Sequence, residues 1–178
     1  MSLPQAPESP ISPGGWIAAN LVIGVDGSTT LGGSSKGLST SVDRSAFHLL
    51  RQQFQAILIG GNTARNEPYS KTPLPLIVLS HRVLEGAVAG NPLAERWDMP
   101  LRDALLKARS RYGRVLMEAG PTLLTEALSE KLIDELFLTL SPLSGGDNHF
   151  DIERYLHGAT KVSHSEIEGT TLACYRFH

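Results

Sequence analysis

The chain reads as an α/β domain, with a mostly parallel central sheet flanked by helices and an antiparallel hairpin at its C-terminal edge. Three observations predict this. Short apolar runs alternate with helix-like runs, the pattern of parallel strands joined by helical crossovers. Two apolar runs, Ala56-Ile57-Leu58-Ile59-Gly60-Gly61-Asn62-Thr63 and Arg114-Val115-Leu116-Met117-Glu118-Ala119-Gly120-Pro121-Thr122, end in small residues and lead into a helix. The last two segments, Lys161 to Glu168 and Thr170 to Phe177, alternate in polarity and join at Gly169, as a hairpin does.

Each element follows in order. Residues 1–15 hold Pro4, Pro7, Pro10 and Pro13 among small polar residues, so we expect a mobile tail and a single domain over residues 16–178. Trp16 to Val25 is apolar and long enough for a buried strand, which breaks at the turn dipeptide Asp26-Gly27. The Gly/Ser-rich stretch from Ser28 to Ser41 is too polar for core and is expected as a surface loop of the kind that binds or covers ligands. Asp43 to Gln53 has helical spacing, with Asp43 as the expected N-cap and Phe47, Leu50 and Phe54 on one face.

Strands are expected at Ala56 to Ile59 and Leu74 to Leu79, whereas Glu85 to Asp98 shows no pattern. Leu101 to Tyr112 is an amphipathic helix stopped by Gly113. A strand over Val115 to Met117 leads into a helix from Pro121 to Ser129, with proline in its first turn. Ile133 to Leu140 is a further strand, followed by a turn-rich loop from Pro142 to Asn148.

Bulk properties narrow the function. At 178 residues the chain can bury a proper core, and 41% hydrophobic with 19% charged residues is a globular composition. A net charge of −2 with no basic stripe argues against nucleic acid. Cys174, the one cysteine, cannot form an internal disulfide, which fits a reducing compartment, and no spacing offers a metal site. No apolar run is long enough for a membrane span and no signal-peptide pattern is present, so we expect a cytoplasmic protein.

The two small-residue strand ends carry the chemistry. A strand that opens a helix leaves backbone N–H groups unpaired at the positive end of the helix dipole, and glycine lets a phosphate approach the main chain. Two such ends suit a ligand with more than one phosphate, such as a dinucleotide. Neither matches the G-x-G-x-x-G or P-loop fingerprints, so each alone is also compatible with a plain tight turn. His48 is read as a helix-packing residue.

A set of segments in fixed order resembles a known family. Asp26-Gly27 after an apolar strand is followed by Phe47-His48-Leu49-Leu50-Arg51, then by Gly60-Gly61-Asn62-Thr63-Ala64-Arg65. Next come Pro75-Leu76-Ile77-Val78-Leu79-Ser80, Glu118-Ala119-Gly120-Pro121-Thr122, and Leu132-Ile133-Asp134-Glu135-Leu136, ending in Ser141-Pro142. This resembles the C-terminal reductase domain of the riboflavin pathway, which has the dihydrofolate reductase fold. The resemblance runs from about Trp16 to about Pro142.

It implies NADPH as cofactor and hydride transfer to the sugar C1′ of a ribosylaminopyrimidine phosphate. By the same resemblance Gly60, Gly61 and Thr63 hold one side of the pyrophosphate, and Ala119, Gly120 and Thr122 the other. Ser80 and Arg82 suit the 2′-phosphate, since a hydroxyl and a guanidinium fork both bind phosphate oxygens. Asn20 and the main chain near Asp26 and Gly27 would border the nicotinamide. Glu118 and Asp26 are the catalytic candidates. Arg51 and Lys71 are the candidates for the ribose phosphate, with Ser39 or Ser41 and Asn66 completing the substrate site. A homodimer is expected, with Phe137 to Leu140 as an edge strand in need of cover.

The chain also departs from the family. Asp26-Gly27-Ser28 stands where the family has Asp-Gly-Lys, and Glu118-Ala119-Gly120 where it has Glu-Gly-Gly. The segment after Thr63 is one residue short, and no deaminase zinc motif precedes it, so we read a stand-alone reductase with an altered substrate pocket. Two further readings remain open. One is a dihydrofolate reductase-like enzyme on another heterocycle, for which no buried carboxylate stands out. The other is a nucleotide-binding module without turnover.

Overall fold

The computed structural model describes residues 15–177. The tail expected at the N-terminus falls almost wholly on residues 1–14, outside the described residues. Eight strands form one sheet: β1 (Trp16–Gly24), β2 (Ala56–Gly60), β3 (Leu76–Leu79), β4 (Ala94–Trp97), β5 (Arg114–Met117), β6 (Glu135–Ser141), β7 (Thr160–Ile167) and β8 (Thr170–Arg176). Their order across the sheet is β4-β3-β2-β5-β1-β6-β8-β7. The first six strands in that order are mutually parallel, while β8 runs antiparallel to both β6 and β7. This is the α/β fold that the alternation predicts, with its antiparallel edge.

The closing hairpin turns on Glu168 and Gly169, at φ 50° and 74°. Two successive left-handed residues match the right-handed twist of the paired strands, and glycine occupies one of them without strain.

Helices α1 (Ser41–Arg51), α2 (Gly61–Asn66), α3 (Leu101–Tyr112), α4 (Pro121–Ser129) and the short α5 (Glu153–Leu156) cover the sheet. Alternation along β1 divides the core. Ile17, Ala19, Leu21 and Ile23 pack with Ala104 and Leu105 of α3 and Leu124 of α4. Ala18 packs on the opposite face with Leu50 of α1, Phe54 and Leu116. Asn20, two residues after Ala18, therefore faces the α1 side. Helix α3 has the predicted bounds and ends at Gly113, φ 82°.

Four expectations are corrected. The N-cap of α1 is Thr40, whose Oγ1 accepts from Asp43 N at 3.2 Å; Asp43 itself lies in the first turn and is buried. The stretch from Ser28 to Ser41 is not all surface, because Ser28, Thr29 and Leu38 are buried. Serine and threonine are small enough to go inside once their hydroxyls are bonded, as Ser28 Oγ is to Asp26 Oδ1 at 2.7 Å. The unpatterned stretch holds a 3-10 turn, Gly86–Gly90, and the edge strand β4, whose Glu95 and Arg96 leave no apolar alternation to read. Phe137 to Leu140 is no edge: β6 lies between β1 and β8, and the edges are β4 and the polar β7.

Candidate functional site

The carboxyl ends of the parallel strands open onto a groove of about 1010 Å³ and an adjoining pocket of about 560 Å³. Ligand sites sit at these strand ends because the loops that follow are free to diverge there. Gly60, Gly61, Thr63, Ser80, Arg82, Gly120 and Thr122, all assigned to the cofactor on sequence, line the groove.

Two helix starts border the groove. Gly60 precedes α2 and Gly120 precedes α4, and neither makes a side-chain cap hydrogen bond. A methyl on Gly120 would meet nothing within 4 Å, so its backbone is bare toward the groove. One on Gly61 would sit 2.9 Å from Ser80 Oγ, which ties that glycine to the serine beside it. Ser80 Oγ is itself shared between the amide and the carbonyl of Arg82, at 3.1 Å each. The Arg82 side chain is exposed, and among the described residues no carboxylate pairs with it. Bare amides, a hydroxyl and an unpaired guanidinium fit the phosphates of a dinucleotide.

The smaller pocket lies on the α1 side. Asn20, Ser39, Arg51, Asn66, Lys71, Glu118 and Ala119 line it. Its floor is one bonded unit. Arg51 Nε donates to Glu118 Oε1 at 2.7 Å and Nη2 to Oε2 at 2.6 Å, while Tyr69 Oη donates to Oε2 at 2.7 Å. Burial opposes the charge on Arg51, yet the hydrogen bond and charge of Glu118 prevail and raise its pKa. Burial, together with the Glu118 charge, pushes the Tyr69 hydroxyl well above its ordinary range, so it stays a donor. The guanidinium Cζ lies over the Phe47 ring, 4.2 Å from its centre.

Arg51 meets Glu118 through Nε and Nη2 and still lines the pocket expected to take the ribose phosphate. The cations at the mouth with no ion pair among the described residues are Lys36, Arg44 and Lys71. Arg44 was missed on sequence although a signal existed. Arg44, His48 and Arg51 recur at i, i+4 and i+7, one stripe of α1. His48 is on that stripe, exposed and lining the mouth, and is not a packing residue.

Asp26, Gly27 and Ser41 line neither cavity. The Asp26 carboxylate accepts from Ser28 Oγ and N, and from Gly145 N at 2.7 Å, and so joins the loop after β1 to the loop after β6. These bonds, led by the Ser28 hydroxyl, lower its pKa from 3.8 to about 2. The turn at Asp26-Gly27 moves the chain past the cleft before returning it, so Thr29 and Thr30 face the ligand space instead. Ser41 points outward from the first turn of α1, whereas Ser39 faces inward.

The loop from Leu31 to Leu38 is tied down across the pocket. Glu67, just past α2, accepts from Ser34 Oγ at 3.0 Å, Ser35 N at 3.0 Å and Ser35 Oγ at 2.9 Å. No helix among the described residues is long and apolar enough to cross a membrane.

Comparison with known proteins agrees with this fold. A pyrimidine reductase-like protein from Corynebacterium diphtheriae superposes with a TM-score of 0.70 at 18% identity, covering 91% of each chain. RibD of Acinetobacter baumannii gives 0.72 at 18% identity, over 91% of this chain and 58% of that one. The deaminase/reductase of Thermotoga maritima, described as acting on 5-amino-6-(5-phosphoribosylamino)uracil in its reductase step, gives 0.70 at 18% identity, over 91% and 56%. This chain thus spans a little over half the length of those two proteins, and at such identity the likeness establishes the fold. No curated protein sequence matches. The family model described as the RibD C-terminal domain matches residues 15–168, and the chain belongs to that family, the reductase domain of riboflavin biosynthesis.

Proposed function

We propose that the chain is an NADPH-dependent reductase of a ribosylaminopyrimidine phosphate. The observation that carries this is the meeting of the two cavities: Thr29, Thr30, Asn62, Thr63, Gly120 and Asn148 line both. A dinucleotide in the groove and a sugar in the pocket would share that border. Gly60, Gly61 and Thr63 would hold one side of the pyrophosphate, and Gly120 and Thr122 the other. Ser80 and Arg82 would take the 2′-phosphate and Asn20 would lie toward the nicotinamide; Ala119, expected on the pyrophosphate, lines the smaller pocket and not the groove, and would lie toward the nicotinamide too.

When bound, NADPH supplies the hydride that reduces C1′. The ribosylamine opens so that C1′ is doubly bonded to nitrogen. Hydride addition at C1′ moves the π electrons to that nitrogen, which takes a proton from water and leaves a ribityl chain. Little covalent work falls to the protein; it positions the partners. Lys36, Arg44 and Lys71 would hold the ribose phosphate. Glu118 holds Arg51 against the pocket wall, accepting each of its three bonds. Asp26 holds loops together. We also propose a homodimer in the cytoplasm; a single monomeric species in sedimentation at micromolar concentration would contradict the dimer.

The test is titration with NADPH and NADH by fluorescence, followed by NADPH absorbance with 5-amino-6-(5-phosphoribosylamino)uracil and its 2-amino precursor ring. Oxidation with either supports the reading. Binding without oxidation of NADPH on these or on dihydrofolate points to a binding module, and no binding refutes the reading.

A further inference from the structure

The pocket assigned to the ribose phosphate has a carboxylate in its lining, that of Glu67. Like charges repel, so a carboxylate beside an anion site needs a reason. Its bonds supply one. Ser34 Oγ lies 3.0 Å from both Glu67 oxygens, and Oε1 also accepts from Ser35 N at 3.0 Å and Ser35 Oγ at 2.9 Å. Among the described residues, Glu67 is the one hydrogen-bonding partner that residues 31–37 have outside the stretch 30–39.

The direction of these bonds reaches the lysine beside them. A hydroxyl has one hydrogen to give and lone pairs to offer. Ser34 gives its hydrogen to Glu67, which leaves its lone pairs for Lys36 N, received at 3.1 Å. Ser34 thereby caps the 3-10 turn Ser35–Gly37, of which Lys36 is the middle residue. The turn is close-wound. A methyl on Gly37 would fall 2.0 Å from the Leu31 carbonyl oxygen, and Leu38, just beyond, is fully buried. Lys36 lines the pocket and has no ion pair among the described residues. The carboxylate fixes the serine, the serine fixes the turn, and the turn presents the ammonium.

We propose that Glu67 is a positioning residue for the phosphate: it holds the loop from Leu31 to Leu38 so that Lys36 meets the anion, and touches no phosphate oxygen itself. This rests on the reductase reading for the sugar phosphate that the pocket takes.

The test is titration of the intact protein with ribose 5-phosphate and with ribose, by ligand-observed NMR. The unaltered protein should bind the phosphorylated sugar tighter. E67A should weaken ribose 5-phosphate by ~10-fold, the factor of one charge-assisted hydrogen bond, and K36A should do the same. The E67A/K36A double variant should lose no more than either alone, because both act on one contact. Coulomb repulsion by itself predicts the reverse sign, since deleting a negative charge would tighten an anion. Unchanged or tighter binding in E67A, losses that add in the double variant, or no preference for the phosphorylated sugar in the unaltered protein overturns the proposal. So does a loss shared equally by ribose, which would mark a general disturbance of the pocket. If E67A does not fold, S34A/S35A removes the donors from the other side, and undiminished binding there overturns it instead. Turnover separates the two readings. Oxidation of NADPH with neither pyrimidine refutes the reductase reading, while ribose 5-phosphate still decides the role of Glu67.

Discussion

Arg51 and Glu118 lie 67 residues apart in sequence and meet through two hydrogen bonds of 2.7 and 2.6 Å, from α1 to the end of β5. Their side chains are 12% and 4% exposed, so the pair is largely out of water. Separately they look like a phosphate ligand and a proton donor. Joined, they form a wall of the pocket that Tyr69 completes from below.

Removing one partner should hurt more than removing both. Glu118→Gln or Arg51→Met leaves a buried charge uncompensated, and we expect a loss of ~3–5 kcal/mol in urea unfolding. The double variant should lose less than the sum of the two. Tyr69→Phe deletes one donor and keeps the ring, for a loss of ~1–2 kcal/mol. An additive double variant would show that the pair is not coupled.

Arg82 should discriminate between cofactors. Arg82→Ala removes a charged contact to the 2′-phosphate and should weaken NADPH by ~10-fold or more, leaving NADH unchanged. Equal losses for both, measured by fluorescence titration, would assign Arg82 another role.

Gly120 should separate binding from folding. Its φ is −66° and a methyl meets nothing within 4 Å, so Gly120→Ala should change stability by no more than ~0.5 kcal/mol. The same methyl projects toward the groove where a pyrophosphate would touch the main chain. NADPH affinity should fall while the unfolding midpoint stays in place, and an unchanged affinity would move the pyrophosphate elsewhere.

Asp26 predicts an acid limb. Its pKa is about 2 in the fold against an ordinary 3.8. A depressed carboxylate contributes stability that is complete above its unfolded value and is lost as pH falls through the folded one. The contribution of the Asp26 bridge to Ser28 and Gly145 should therefore fade between pH ~4 and ~2. Asp26→Asn should flatten the pH dependence of the urea midpoint in that window. A variant with the same slope would show that the bridge does not set it.

Much of the fold was legible because it depends on local pattern. Helix α3 has apolar spacing and a terminal glycine, and β2 and β5 are short apolar runs with turn signals at their ends. The unread part was β4, where an edge position removes the burial that writes a pattern: Ala94, Glu95 and Arg96 alternate in nothing, and only Trp97 is buried. The groove was legible at Gly60, Gly61 and Gly120, because small residues that end a strand and open a helix stand out in the sequence. The pocket was not. That Arg51 pairs with Glu118, that Asp43 is buried, and that Thr29 rather than Gly27 lines the cavities all depend on contacts between residues distant in the chain. Spacing along α1 could have brought Arg44 forward, but nothing local marks Tyr69 as the third member of its cluster.

Cys174 has a practical consequence. It lies on β8, 1% exposed, and burial pushes its thiol up to about 12, so little reactive thiolate exists at neutral pH. As the chain's one sulfhydryl, it should be alkylated only slowly in the native protein. Each modification event would then record a moment when β8 has parted from β6, giving the antiparallel edge a built-in clock for its own opening.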